Sequence, residues 1–194
     1  MSNEWDEYAG EWDNDPLAHK YADRAFGELI KIAKTKGARI LDFGCGTGLL
    51  SERLSPHADI VVALDSSTKM VERLNQKKIV NLFTIAGVLS NDLISTNKLL
   101  HSKFDLITAS SVCAFLPDYE ATLFTLRSLL IPKGKFVQWD WLSTSMNADL
   151  GLTEERVSQA LSDSGFTKIA LSQPFSIENF KEKMPVLMAA AINS

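Results

Sequence analysis

The stretch ILDFGCGTGLLSERLS, residues 40–55, decides how this chain is read. It opens with a mostly apolar run of strand character, passes through Gly44, Gly46 and Gly48 in a G-x-G-x-G pattern, and continues with Leu50 and Leu54 at helical spacing. A strand that turns through glycines into a helix lets the backbone bend tightly and approach a ligand. The same pattern also serves plain packing geometry, so the neighbouring residues must separate the two.

Three neighbours do so. Leu49 stands where a dinucleotide fingerprint, G-x-G-x-x-G, requires its last glycine. The next apolar run, DIVVALD, ends in Asp65, nineteen positions after Gly46, close to the interval at which a second strand offers an acid to ribose hydroxyls. Asp65 also suits a helix N-cap, a role that Ser66 or Ser67 fills equally well. Asp42 lies immediately before the glycines, where a carboxylate repels phosphate and attracts a cationic amino group or sulfonium.

Working outward, RILDF, DIVVALD, NLFTIA, FDLITAS and GKFVQWDW read as strands separated by amphipathic helices, the pattern of a parallel sheet covered on both faces. Asp15 followed by Pro16 is an N-cap with proline at the first helical position, and the helix it opens is expected to run to Gly37. A helix opened by Thr153 should stop near Gly165, after which FTKIALS and PVLMAAAIN form two strands, the last antiparallel. Residues 87–103 read as a short helix with loops. No repeat or linker divides the chain, so a single domain spanning 1–194 is expected, with 1–36 a helical lid segment over a core at 37–194.

Composition limits the partners. The 194 residues carry a net charge of −4 with Lys and Arg scattered, which leaves no electrostatic footprint for nucleic acid. Cys45 and Cys113 have neither zinc-site nor redox-pair spacing and point to a reducing, cytoplasmic setting. The acidic first fifteen residues lack the apolar core of a signal peptide, and no apolar segment is long enough to span a bilayer, so a soluble protein with no membrane partner is expected.

LDFGCGTGLLSERL resembles motif I of the class I S-adenosylmethionine-dependent methyltransferases. VVALDSSTKMVERL is similar to their second-strand motif, FDLITASSVCAFLPD to the fourth, and LLIPKGKFVQWDW to the helix, turn and fifth strand that follow, over about residues 20–192. Within the family the chain looks closest to the small-molecule, type 11/12-like branch. The resemblance implies a Rossmann-like three-layer α/β/α sandwich with a seven-stranded, mostly parallel sheet and S-adenosyl-L-methionine as cofactor. It implies further that Asp42, Gly44, Gly46 and Gly48, with Cys45 among them, surround the methionine part, that Asp65 holds the ribose, and that Ser66 and Met70 flank the adenine. Ser110, closing the fourth strand, completes the candidate set. Many members end the third strand in G-D-A; here Ala86-Gly87-Val88 replaces it, so adenine should be read by main-chain groups near Gly87 and Val88.

Methyl transfer needs alignment more than a dedicated catalytic group, and no catalytic residue is assigned. Where the small-molecule branch often reads L-H-H-L-P-D, this chain reads CAFLPD, which removes histidine-assisted deprotonation. Cys113 lacks the preceding proline of cytosine-carbon methyltransferases and reads as a small buried residue, while His19 reads as part of a solvated helix face. Tyr8, Trp12, Tyr21, Phe115, Trp139 and Trp141 are the candidate substrate pocket, the two strand tryptophans sharing one face because side chains alternate. The expected function is methyl transfer to a small-molecule acceptor by in-line displacement. The alternatives are a non-catalytic cofactor-binding or interaction protein of the same fold, and an NAD-dependent oxidoreductase, which Leu49 and Asp42 disfavour.

Overall fold

The computed structural model describes residues 4–144, 151–178 and 183–194. Short 3-10 turns at Glu4–Glu7 and Trp12–Asn14 lead into helix α1, Pro16–Ile32, whose N-cap is Asp15 with its side chain accepting from Leu17 N. The helix ends at Ile32 rather than reaching Gly37. Ala33 is already extended (φ −134°), and the chain turns through Ala38 N to Thr35 O, bringing Gly37 N to His57 O. That turn aims the next strand into the sheet, which a continued helix would not.

The sheet strands are β1 (Arg39–Phe43), β2 (Ile60–Asp65), β3 (Leu82–Ala86), β4 (Phe104–Ser110), β5 (Leu130–Trp141), β6 (Phe166–Glu178) and β7 (Lys183–Asn193), in the spatial order β3-β2-β1-β4-β5-β7-β6. The first five pair in parallel. β7 is antiparallel to both β5 and β6 and lies between them, as the last strand was expected to be antiparallel. β5 and β6 extend beyond the apolar runs that announced them, because sheet pairing recruits polar neighbours whose backbone groups need partners.

Helices α2 (Leu49–Leu54), α3 (Thr68–Gln76), α4 (Asn91–Thr96), α5 (Tyr119–Ser128) and α6 (Glu154–Asp163) complete the three layers. One core face joins Tyr21, Ala25 and Leu29 of α1 with Leu50 and Leu54 of α2, Ile40 of β1 and Trp139 of β5. The opposite face joins Leu123 and Leu126 of α5 and Val157 and Leu161 of α6 with Phe43, Ile107 and Phe136. Residues 87–103 contain α4 and a 3-10 turn, Lys98–Leu100, as expected. The connection between β5 and α6 falls partly on residues 145–150, outside the described residues.

From β1 the chain travels outward to β3 and then returns to β4 on the other side of β1. The switch leaves a crevice beyond the carboxyl ends of β1 and β4, the place where open α/β sheets take ligands. Among the described residues no helix is long and apolar enough to cross a membrane.

Candidate active site

The crevice is a cavity of about 490 Å³. Its floor is built from β1 and the glycine loop. Gly44, Gly46 and Gly48 all have positive φ (68°, 55° and 87°), but they do different things. A Cβ on Gly44 would fall 2.4 Å from Val112 Cγ2, and one on Gly48 2.2 Å from Leu74 Cδ1, so these glycines permit close packing of the loop on the β4–α5 connection and on α3. A Cβ on Gly46 would meet nothing nearer than Trp12 Nε1 at 4.0 Å. Gly46 alone of the three faces open space. Gly44, Cys45 and Gly46 line the cavity, whereas Gly48 stands behind it as the N-cap of α2.

Asp42 lines the cavity yet is only 1% exposed. One carboxylate oxygen accepts from Ser51 Oγ at 2.5 Å and the other from Thr108 Oγ1 at 2.9 Å, Thr108 standing opposite Asp42 in the β1–β4 register. Burial pushes its pKa up to about 6 despite these hydroxyls. A cation reaching this carboxylate would find it desolvated, where attraction is strongest.

Asp65 closes β2, with one oxygen accepting from Gly46 N at 2.7 Å and the other from Ser67 N at 2.8 Å. Its burial raises its pKa, opposed by these backbone donors. The carboxylate thus ties the glycine loop to the β2–α3 turn, a task the sequence reading did not assign to it. Two in-plane bonds leave further lone pairs for hydroxyl donors. Ser67, not Asp65, caps α3, accepting from Met70 N through its hydroxyl. Ser66, Met70, Gly87, Val88 and Ser110 also line the cavity, with Met70 buried and Val88 at the exposed rim.

The other end of the cavity is aromatic. Tyr21, Phe115 and Trp141 line it, Tyr21 packing edge-on against Trp141 at 5.2 Å, while Trp12 lines the cavity beside Gly46. Two of the aromatic candidates stand elsewhere. Trp139 is completely buried in the core under α1; it shares its face with Trp141 as alternation demands, but lies one pleat deeper in the sheet. Tyr8 is 57% exposed and touches Trp5 from the outside. Cys113 is a buried free thiol, and His19 bonds Asp13 O at 2.8 Å without lining the cavity.

Several lining residues went unnamed in the sequence reading. Leu17, Ala18 and Ala22 follow from the helical spacing around Tyr21, whereas Trp5, which also lines the cavity, belongs to the aromatic cluster of the first segment that the sequence already marked as a pocket wall. Ile177 and Met184 carry no local signal, because they reach the cavity only through the insertion of β7 beside β5. Ser111 has a positive φ of 56°, a strained setting at the end of β4 held by Ser111 N to Trp139 O at 2.7 Å.

Residues 17–183 match the model of a family described as a methyltransferase domain. The chain belongs to this methyltransferase family. The methyltransferase is 34% identical over 108 residues to an uncharacterized methyltransferase of Schizosaccharomyces pombe, covering 53% of this chain and 38% of that one. It is 31% identical over 103 residues to a ubiquinone biosynthesis O-methyltransferase of Haemophilus ducreyi, covering 50% and 43%. The matched part thus spans less than half the length of these curated relatives. A solved S-adenosylmethionine-dependent methyltransferase of Aquifex aeolicus shares the fold, with a TM-score of 0.75, 19% identity, and coverage of 97% and 98%. Membership of this family sets aside the oxidoreductase alternative.

Proposed function

We propose that the enzyme transfers the methyl group to a small-molecule acceptor seated at the aromatic end of the cavity, under the N-terminal segment acting as a lid. The observation that carries this reading is continuity: one cavity runs from the glycine loop, Asp65 and Met70 to Tyr21, Phe115 and Trp141. The open space over Gly46 suits the cofactor. In this reading Asp42, Gly44, Cys45 and Gly46 serve the methionine end, Asp65 the ribose, and Ser66, Met70, Gly87 and Val88 the adenine.

When bound, S-adenosylmethionine supplies a methyl group made electrophilic by its sulfonium. The chain's own residues then hold the acceptor atom in line with that methyl and keep water away. Trp12, Tyr21, Phe115 and Trp141 suit a planar or apolar acceptor body, since aromatic walls bury area at low entropic cost. A cavity of about 490 Å³ shared with the cofactor favours a compact acceptor. The Haemophilus relative is named for O-methylation, which supports an oxygen acceptor. Buried, free Cys45 and Cys113 support a reducing, cytoplasmic setting.

Calorimetry with S-adenosylhomocysteine and with NAD tests the site. The adenosyl ligand should bind, NAD should not, and Gly46→Arg should abolish binding while the variant still folds. Normal binding by a folded Gly46→Arg protein would remove the glycine loop from the site. Incubation with a labelled methyl donor and a metabolite extract should label a small molecule; label found only on macromolecules would sink the acceptor class.

A further inference from the structure

The N-terminal segment grips the two loops that frame the proposed cofactor site. Asp6 Oδ1 accepts from Ser67 Oγ at 2.5 Å and from Lys69 N at 3.3 Å, at the turn that follows Asp65. Asp13 Oδ1 accepts from Thr47 Oγ1, in the middle of the glycine loop, at 2.5 Å. Its second oxygen lies 3.2 Å from Lys77 Nζ, which also meets Glu52 at 2.9 Å. Between these grips, Arg73 Nη2 donates to Gly10 O at 3.0 Å, and Ala9 is buried. Trp5 and Trp12, carried on the same two turns, form part of the cavity wall, and Trp5 meets the Phe115 ring at 5.2 Å on the far side of the crevice.

The glycine loop and the β2–α3 turn are thus pinned twice: from below by Asp65, through Gly46 N and Ser67 N, and from above by Asp13 and Asp6. The lower pin is buried at Ser67 N and partly buried at Gly46 N. The upper pins are partly exposed, and hydrogen bonds and ion pairs of that kind are individually weak and screened by salt. Weak, separate pins suit a contact that must break and re-form on each turnover, because a strap held by a large apolar face would open too slowly.

We propose that Asp6 and Asp13 are positioning residues that latch this strap across the cofactor cleft, so that release of the latch admits S-adenosylmethionine and frees S-adenosylhomocysteine. The inference rests on the placement of the cofactor given above. A latch differs from a simple ligand contact in its kinetic signature. Loss of a contact raises only the dissociation rate, and a collapsed cradle lowers association as well, whereas an unlatched strap speeds passage in both directions while the affinity changes less.

The test uses the full chain, with S-adenosylhomocysteine as probe and tryptophan fluorescence, to which Trp5, Trp12 and Trp141 of the cavity wall contribute, as signal in stopped flow. Asp6→Asn, Asp13→Asn and the double variant are compared with the parent. In the double variant dissociation should be about tenfold faster, for the loss of charge on two hydrogen-bonded carboxylates, and association should rise several-fold. In the parent, raising salt from about 0.05 to 0.5 M should speed release, and the double variant should lose that response. Unchanged dissociation, or faster dissociation with unchanged or slower association, overturns the latch. The salt response of the parent decides the matter without any substitution should a variant fold poorly, and its absence also overturns the latch. Failure of the parent to bind the probe at all would instead overturn the cofactor placement.

Discussion

Asp140 is 1% exposed, accepts from Ala114 N at 3.1 Å and from Gln138 Nε2 at 3.1 Å, and is pushed by burial up to about 7 from an ordinary value of 3.8. The folded protein therefore keeps a proton that the unfolded chain releases between those two values. Stability from this group is complete below about pH 4 and is lost as pH rises through 7. Asp140→Asn removes the titration: between pH 4.5 and 8, urea unfolding should show the variant gaining roughly 2–4 kcal/mol relative to the parent. Equal pH slopes in the two proteins would assign the carboxylate an ordinary pKa. Tyr21 poses a simpler case. Its hydroxyl is buried with no hydrogen-bond partner among the described residues, although its ring is well packed between Trp141 and Phe175. Tyr21→Phe should leave unfolding stability unchanged or raise it by up to about 1–2 kcal/mol, because a buried hydroxyl without a partner is a cost. A clear loss of stability on thermal melting would mean that the hydroxyl has a partner, such as an ordered water.

At the scale of elements, α1 joins the N-terminal turns to the core. Its buried stripe of Tyr21, Ala22, Ala25 and Leu29 recurs at helical spacing, and Leu29 is fully enclosed against the sheet. Leu29→Ala should lower unfolding free energy by about 2–5 kcal/mol in urea titrations, the range for enclosed leucines that leave a cavity. A loss below about 1 kcal/mol would show that α1 is not cooperatively docked. The start of this helix was legible because Asp15 and Pro16 form a local signal. Its end was not, since residues 33–37 stop at Ile32 to satisfy a turn against His57 O, a partner remote in sequence. The β strands were legible from their apolar runs, and their outer ends were not, because those ends depend on which neighbour supplies hydrogen bonds. In the same way the first two glycine-loop cavity residues were legible from type and spacing, while the distinction between Gly46, which faces open space, and Gly48, which packs on Leu74, needed a neighbour from α3.

At the scale of the molecule, the proposed cofactor site draws on the glycine loop, β2 and the N-terminal turns, which come together only in the folded chain. S-adenosylhomocysteine at about one hundred times its dissociation constant should therefore stabilise the protein by about 2.7 kcal/mol, read as a rise in melting temperature. No rise in the parent would separate the cleft from the cofactor. The sequence by itself determined the α/β class, the parallel order of alternating elements, the antiparallel last strand and the residue types around the first glycine loop. Each of these is set by local periodicity, turn chemistry or fixed spacing along the chain. Tertiary structure alone decided that Trp139 sinks into the core while Trp141 lines the cavity, and that Ile177 and Met184 arrive there from the C-terminal hairpin. It alone decided, too, that Asp6 and Asp13 close on Ser67 and Thr47. Those outcomes depend on which distant segments share a face, and that is set by the closure of the sheet around a common core rather than by any local pattern.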